Sequence, residues 1–70
     1  MTRINGTVMW FDNEMGWGFV QMGDGNSNVF VDRTSFRGRG FTSLYSGERV
    51  WFYTVKRRGG KGLKAMELTK

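Results

Sequence analysis

Five aromatic side chains, Trp10, Phe11, Trp17, Phe19 and Phe30, fall within the first thirty residues of a 70-residue chain. Flat rings at such density suit one chemistry above others, stacking on nucleobases, which is tolerant of sequence because every base has a π-face. Aromatics make up 16% of the chain, eleven rings in all, more than so small a core needs. A formal charge of +5 points the same way, toward a polyanionic partner. The charge is unevenly placed. Residues 1–32 hold Arg3 against Asp12, Glu14, Asp24 and Asp32, whereas residues 33–70 hold ten cations against Glu48 and Glu67. The cations gather in two places: Arg33, Arg37 and Arg39, then Lys56, Arg57, Arg58, Lys61 and Lys64.

Other chemistries are poorly supplied. With no Cys and no His, the chain has no zinc-finger ligands, no thiol and no imidazole acid or base. Asp12, Glu14, Asp24 and Asp32 could in principle hold a magnesium ion, but the pattern places them in turns and at a strand end. No enzyme activity, cofactor, metal or small-molecule substrate is expected. The longest apolar runs, residues 8–11 and 50–53, are far below the roughly 18 residues of a membrane span. No signal pattern precedes them, and a cytoplasmic location is the expectation.

The rings need a scaffold, and the pattern predicts an all-β one. Eleven glycines punctuate short apolar stretches, and no 3.6-residue period persists beyond one turn. Strands are expected at residues 6–11, 16–22, 28–32, 49–56 and 63–68. A turn at Gly23, Asp24, Gly25 and Asn26 joins the second to the third. A helical turn is expected at 33–36, opening a long connection to residue 47. Residues 57–62 read as a flexible basic loop. Five antiparallel strands without covering helices favour a single closed barrel over residues 1–70.

Strand alternation then sorts the side chains. Val20, Val29 and Val31 are expected to fill the barrel, leaving Trp17, Phe19 and Phe30 outside as neighbours. Gly18, between two of these rings, reads as a flat spot for close approach of a ligand backbone. Trp10 and Phe11 are adjacent, so alternation splits them unless a bulge or bend intervenes. On the fourth strand Trp51 and Tyr53 share a face opposite Val50 and Phe52. They are either covered by a loop or terminus, or they form an additional binding or self-association surface on an otherwise monomeric protein.

Taken together, GTVMWFDNEMGWGFV, NVFVD and GFTSLYSGERVWF resemble the bacterial cold-shock protein family along the whole chain. The family motif Lys-Gly-Phe-Gly-Phe-Ile stands here as residues 15–20, MGWGFV, and Val-Phe-Val-His-Phe as residues 29–33, VFVDR. The resemblance implies an OB-type barrel that binds single-stranded RNA or DNA with little sequence preference, often as an RNA chaperone. By matching position it implies stacking by Trp10, Phe11, Trp17, Phe19, Phe30 and Phe41, with Lys61 replacing a basic loop residue. Arg33 is a further candidate, able to lay its guanidinium plane on a base.

The chain also departs from that pattern. Met9 and Met15 stand where the family usually has Lys. Asp32 replaces a stacking His, and Arg33 replaces the Phe that follows. Trp51 and Tyr53 occupy positions the family leaves small or polar. The expected platform keeps its rings, loses two cations and gains an anion. A rival reading follows: exposed rings with Met9, Met15 and Met22 form a protein-interaction patch on a barrel that has lost most affinity for nucleic acid.

Overall fold

Short alternating stretches separated by glycine become five strands in the computed structural model, which describes residues 3–23, 25, 27–38 and 43–70. They are β1 (Ile4–Asp12), β2 (Trp17–Met22), β3 (Asn28–Asp32), β4 (Arg49–Lys56) and β5 (Leu63–Thr69). They close into a barrel in the order β1-β2-β3-β5-β4. All neighbours pair antiparallel except β3 and β5, which meet in parallel at Phe30 and Lys64. Closure leaves no open sheet edge, which suits a chain too short to cover one with a helix.

The interior follows the expected alternation. Val8, Val20, Val29, Val31, Leu44, Val50, Phe52, Ala65 and Leu68 are all at most 2% exposed. Each fully buried Val, Leu or Phe contributes about 1.5–3 kcal/mol before entropy is counted. β3 and β4 have the bounds read from the sequence, while β1 extends from Ile4 to Asp12 and β2 begins one residue later, at Trp17. The fifth strand, weak in β-forming residues, is held by pairing on both sides. Asp24, Asn26, Arg39, Gly40, Phe41 and Thr42 lie outside the described residues, and with them part of the expected turn and one expected stacking ring.

Two local findings revise the sequence reading. The register of β1 against β2 jumps from Val8↔Val20 to Trp10↔Phe19, making Met9 the extra residue of a bulge. Met9 and Trp10 are therefore both exposed, and Phe11 turns toward the core, edge-on to Phe36 at 6.0 Å. Gly18 is buried, not part of a flat outer surface. A Cβ there would collide with the Trp10 carbonyl oxygen and lie 2.6 Å from the Phe11 Cα. The backbone that approaches Gly18 is that of β1 at its bulge, and no ligand is needed to explain the glycine.

The long connection after β3 is anchored at both ends. It opens on a 3-10 turn, Arg33–Ser35, capped by Asp32. Toward its other end it is held at Leu44, whose N–H donates to Asn13 Oδ1 while Asn13 Nδ2 donates back to the Leu44 carbonyl, at 2.9 and 2.8 Å. The basic segment after β4 is more ordered than a flexible loop: it forms a second 3-10 turn, Arg58–Gly60, closed by Arg57 N–H donating to the Gly62 carbonyl.

Asp32 is the best-connected carboxylate described. Its Oδ1 accepts from the Thr34 N–H and hydroxyl at 2.9 and 2.6 Å, and lies 3.3 Å from Lys64 Nζ. The Ser35 hydroxyl accepts in turn from the Asp32 N–H, completing a capping box. Burial alone would raise its pKa, but the Thr34 bonds and the Lys64 charge outweigh it and hold the group below its ordinary 3.8. Asp32→Ala is expected to cost about 1 kcal/mol, the usual worth of a cap. Because the folded value is depressed, this contribution is full above pH 3.8 and fades as pH falls through the folded value. Urea unfolding of both proteins at neutral and acid pH checks this: the gap between them should narrow in acid.

Candidate nucleic-acid interface

The bulge at Met9 decides the composition of the outer face. It brings Trp10 opposite Phe19, and β2 pairing brings Phe19 opposite Phe30. Trp17 stands one outward position further along β2. The four rings form one cluster. Trp10 meets Trp17 edge-on at 4.7 Å and lies near-parallel to Phe19 at 6.5 Å. Trp17 is near-parallel to Phe30 at 6.3 Å, and Phe19 meets Trp17 and Phe30 edge-on at 6.1 and 5.9 Å. Such mutual edge and offset contacts hold rings in place while leaving faces available. Trp10 and Trp17 are 45% and 37% exposed, and Phe19 and Phe30 are half-buried.

The turn between β1 and β2 aims Trp17. Asp12 Oδ1 accepts from the N–H groups of Glu14 and Met15, and the Asp12 carbonyl accepts from Gly16. Gly16 has φ +82°, a conformation costly for side-chain-bearing residues. Arg33 crosses beneath, donating from Nη2 to the Glu14 carbonyl at 2.7 Å and from Nη1 to the Met15 carbonyl at 3.4 Å. Its guanidinium fills the space a Cβ at Gly16 would need. Arg33 thus braces the turn that precedes the platform. Asp12 likewise serves as a turn-former.

Of the residues expected to bind, Trp10, Trp17, Phe19 and Phe30 come together, and Phe11 does not join them. Lys61 is exposed at the end of the second 3-10 turn. Phe41 lies outside the described residues. A contact that ring-counting did not single out is Arg57, whose guanidinium carbon sits 4.1 Å from the centroid of Phe30. Only its place in a run of cations hinted at it, and strand parity says nothing about a loop side chain.

The charge imbalance takes spatial form here. Asp12, Glu14 and Met15 lie at the turn that leads into Trp17 and Met9 lies beside Trp10, while Arg57 reaches the face from beyond β3. Among the described residues, no three acidic, Cys or His side chains gather to hold a metal ion. No helix there is long and apolar enough to cross a membrane.

Trp51 and Tyr53 lie elsewhere, on β4 between β1 and β5. Of the two readings left open for them, coverage applies to Tyr53. Tyr53 is covered by Arg3, whose guanidinium stands 5.6 Å from the ring and donates to the carbonyls of Trp51 and Glu67 and to Thr69 Oγ1. Trp51 remains 41% exposed. One partly exposed indole falls well short of the ~800 Å² per partner that stable association needs. The sedimentation coefficient is therefore expected to stay constant with concentration, in wild type and in a Trp51→Ser, Tyr53→Thr variant alike. A concentration-dependent increase in wild type alone would make this face a self-association surface.

Comparison with known proteins agrees with this architecture. The family model described as 'Cold-shock' DNA-binding domain matches residues 4–70. Major cold shock protein CspA of Pseudomonas aeruginosa is 46% identical over 66 residues, covering 94% of this chain and 91% of that protein. Cold shock protein CspB of Geobacillus stearothermophilus is 43% identical over 65 residues, covering 93% and 94% respectively. Glycine-rich protein 2 of Nicotiana sylvestris is 40% identical over 67 residues, which make up 31% of its length. With its five-stranded closed barrel, its outward ring cluster and near full-length similarity, this chain belongs to the cold-shock domain family of nucleic-acid-binding proteins.

Proposed function

We infer that the protein binds single-stranded RNA or DNA with low sequence specificity, by stacking bases on Trp10, Trp17, Phe19 and Phe30. One observation carries the reading: four rings from three adjacent strands share one outward face, with centroids 4.7 to 6.5 Å apart. A base stacked on a ring is worth about 1–3 kcal/mol whatever its identity. Such a surface holds a strand open without selecting a sequence, the behaviour of an RNA chaperone. By its place in the family motif, Phe41 is a further stacking residue. Phe11 supports it from the core side, Arg33 braces its turn, and Lys61 adds charge at the rim. The protein acts in the cytoplasm, as a binding protein and not an enzyme.

Few cations border the β1–β2 side, so phosphate contacts are few. Quenching of tryptophan fluorescence by short oligothymidine tests this across a salt series. The logarithm of affinity falls by about 0.7 per neutralised phosphate for each unit of log salt. A shallow slope, equivalent to about two or three contacts, is expected. Met9→Lys with Met15→Lys should steepen it by about one contact each. Exposed Met9 and Met15, at 45% and 67%, keep a protein-interaction patch as the second reading. No quenching at low salt would give that reading first place.

A further inference from the structure

Arg57 is unlike the other arginines that border strands. Arg3 and Arg33 donate to backbone carbonyls, whereas the guanidinium of Arg57 takes part in no hydrogen bond or ion pair among the described residues. It lies instead against the ring of Phe30, at 4.1 Å. Its backbone is fixed, since its N–H closes the turn onto Gly62. The side chain therefore reaches from the end of β4 across to β3 and rests on a member of the platform, with its donors uncommitted.

Beside it is an open cavity of about 280 Å³, lined by Lys56, Arg57, Gly60, Gly62 and Leu63. Two cations, two glycines without side chains and one apolar residue make a setting for an anion attached to something less polar. Both glycines have positive φ and open space where a Cβ would be. A phosphate fits the cations, and the attached sugar fits Leu63. The opposite border of the face, with Asp12 and Glu14, offers no such setting.

We propose that Arg57 and this cavity form a nucleotide subsite at the Phe30 end of the platform, where the strand's phosphate is held by Arg57 and Lys56. This rests on the single-strand reading above and adds to it a place for a phosphate. Trp10, Trp17 and Phe19 take bases on open faces. At Phe30 the base stacks through the guanidinium, which continues the ring as a charged plane and turns its N–H groups to the backbone. Arginine suits this role and lysine does not, because its planar, weakly hydrated fork can stack and donate at once. The cations missing at Met9 and Met15 are thereby replaced from the far side of the face.

Arg57→Gln, Arg57→Lys and Lys56→Gln, titrated with oligothymidine across a salt series, test the subsite. Thermal unfolding confirms that each variant folds, as expected for side chains outside the core. Arg57→Gln should bind about tenfold more weakly at low salt, with a slope shallower by about 0.7, the share of one phosphate. Lys56→Gln should lower the slope similarly. Arg57→Lys should keep the wild-type slope but recover only part of the affinity, because it loses the stacking plane. Equal or tighter binding by Arg57→Gln overturns the proposal and makes Arg57 a lid on Phe30. Weaker binding with an unchanged slope also overturns it, since the lost contact would then be to a base. Failure of wild type to bind overturns the single-strand reading itself, and the subsite with it.

Discussion

Gly18→Ala should destabilise the barrel by about 3 kcal/mol or more, at the upper end of what overpacking costs. The added methyl would meet the Trp10 carbonyl oxygen and the Phe11 Cα, which are backbone atoms that no rotamer change can move aside. Relief would require β1 to shift away from β2 at the bulge, disturbing the Trp10↔Phe19 and Phe11↔Gly18 pairings together. Small domains sit near the low end of a 5–15 kcal/mol range, so much of the molecule's stability is at stake. Gly38→Ala is the control: it has positive φ but open space around it, and only the smaller left-handed penalty of about 1–2 kcal/mol applies. Urea denaturation of the two variants measures the difference. A Gly18→Ala protein no less stable than Gly38→Ala would mean that the bulge is soft.

The second large effect is on binding. Trp17→Ala with Phe30→Ala removes two rings that lie near-parallel at 6.3 Å. Loss of one ring should weaken binding to oligothymidine by about 1–3 kcal/mol. Because the rings touch each other, the double variant should lose less than the sum of the two. Neither ring belongs to the buried core, so unfolding should move far less than binding. A double variant that fails to fold would make these rings structural.

How far the sequence led depended on whether a side chain obeys strand periodicity. Parity separates Val20, Val29 and Val31 from Trp17, Phe19 and Phe30, because a strand has only two faces, and the fit of ring-free β-branched side chains to a barrel interior identifies the inner one. Parity fails where the backbone slips. The Met9 bulge moved Trp10 outward and Phe11 inward, and nothing in the order Val-Met-Trp-Phe announces which residue is extra. The need for glycine at 18 has the same origin: the backbone that crowds it belongs to β1 at the bulge, which the residues around Gly18 do not reveal. Polar side chains were the least legible. Asp32 reads as an anion spoiling a platform, yet its carboxylate caps a turn and pairs with Lys64. Arg33 reads as a guanidinium available to stack on a base, yet it braces the turn between β1 and β2. The bonds of Arg33 to Glu14 and Met15 and the pairing of Asp32 with Lys64 join residues 18 to 32 positions apart, and no local pattern encodes them, whereas the cap of Asp32 on Thr34 is local.

If single strands lie on the face built by Trp10, Trp17, Phe19 and Phe30, a map of backbone amide chemical shifts during titration with oligothymidine shows it most directly. Shifts are expected to concentrate at Trp10, along Trp17–Met22, along Asn28–Asp32 and in the loop that follows Lys56. Residues of β4 around Trp51 should stay nearly still. Shifts centred on Trp51 and Tyr53, or none anywhere at low salt, would contradict the claim.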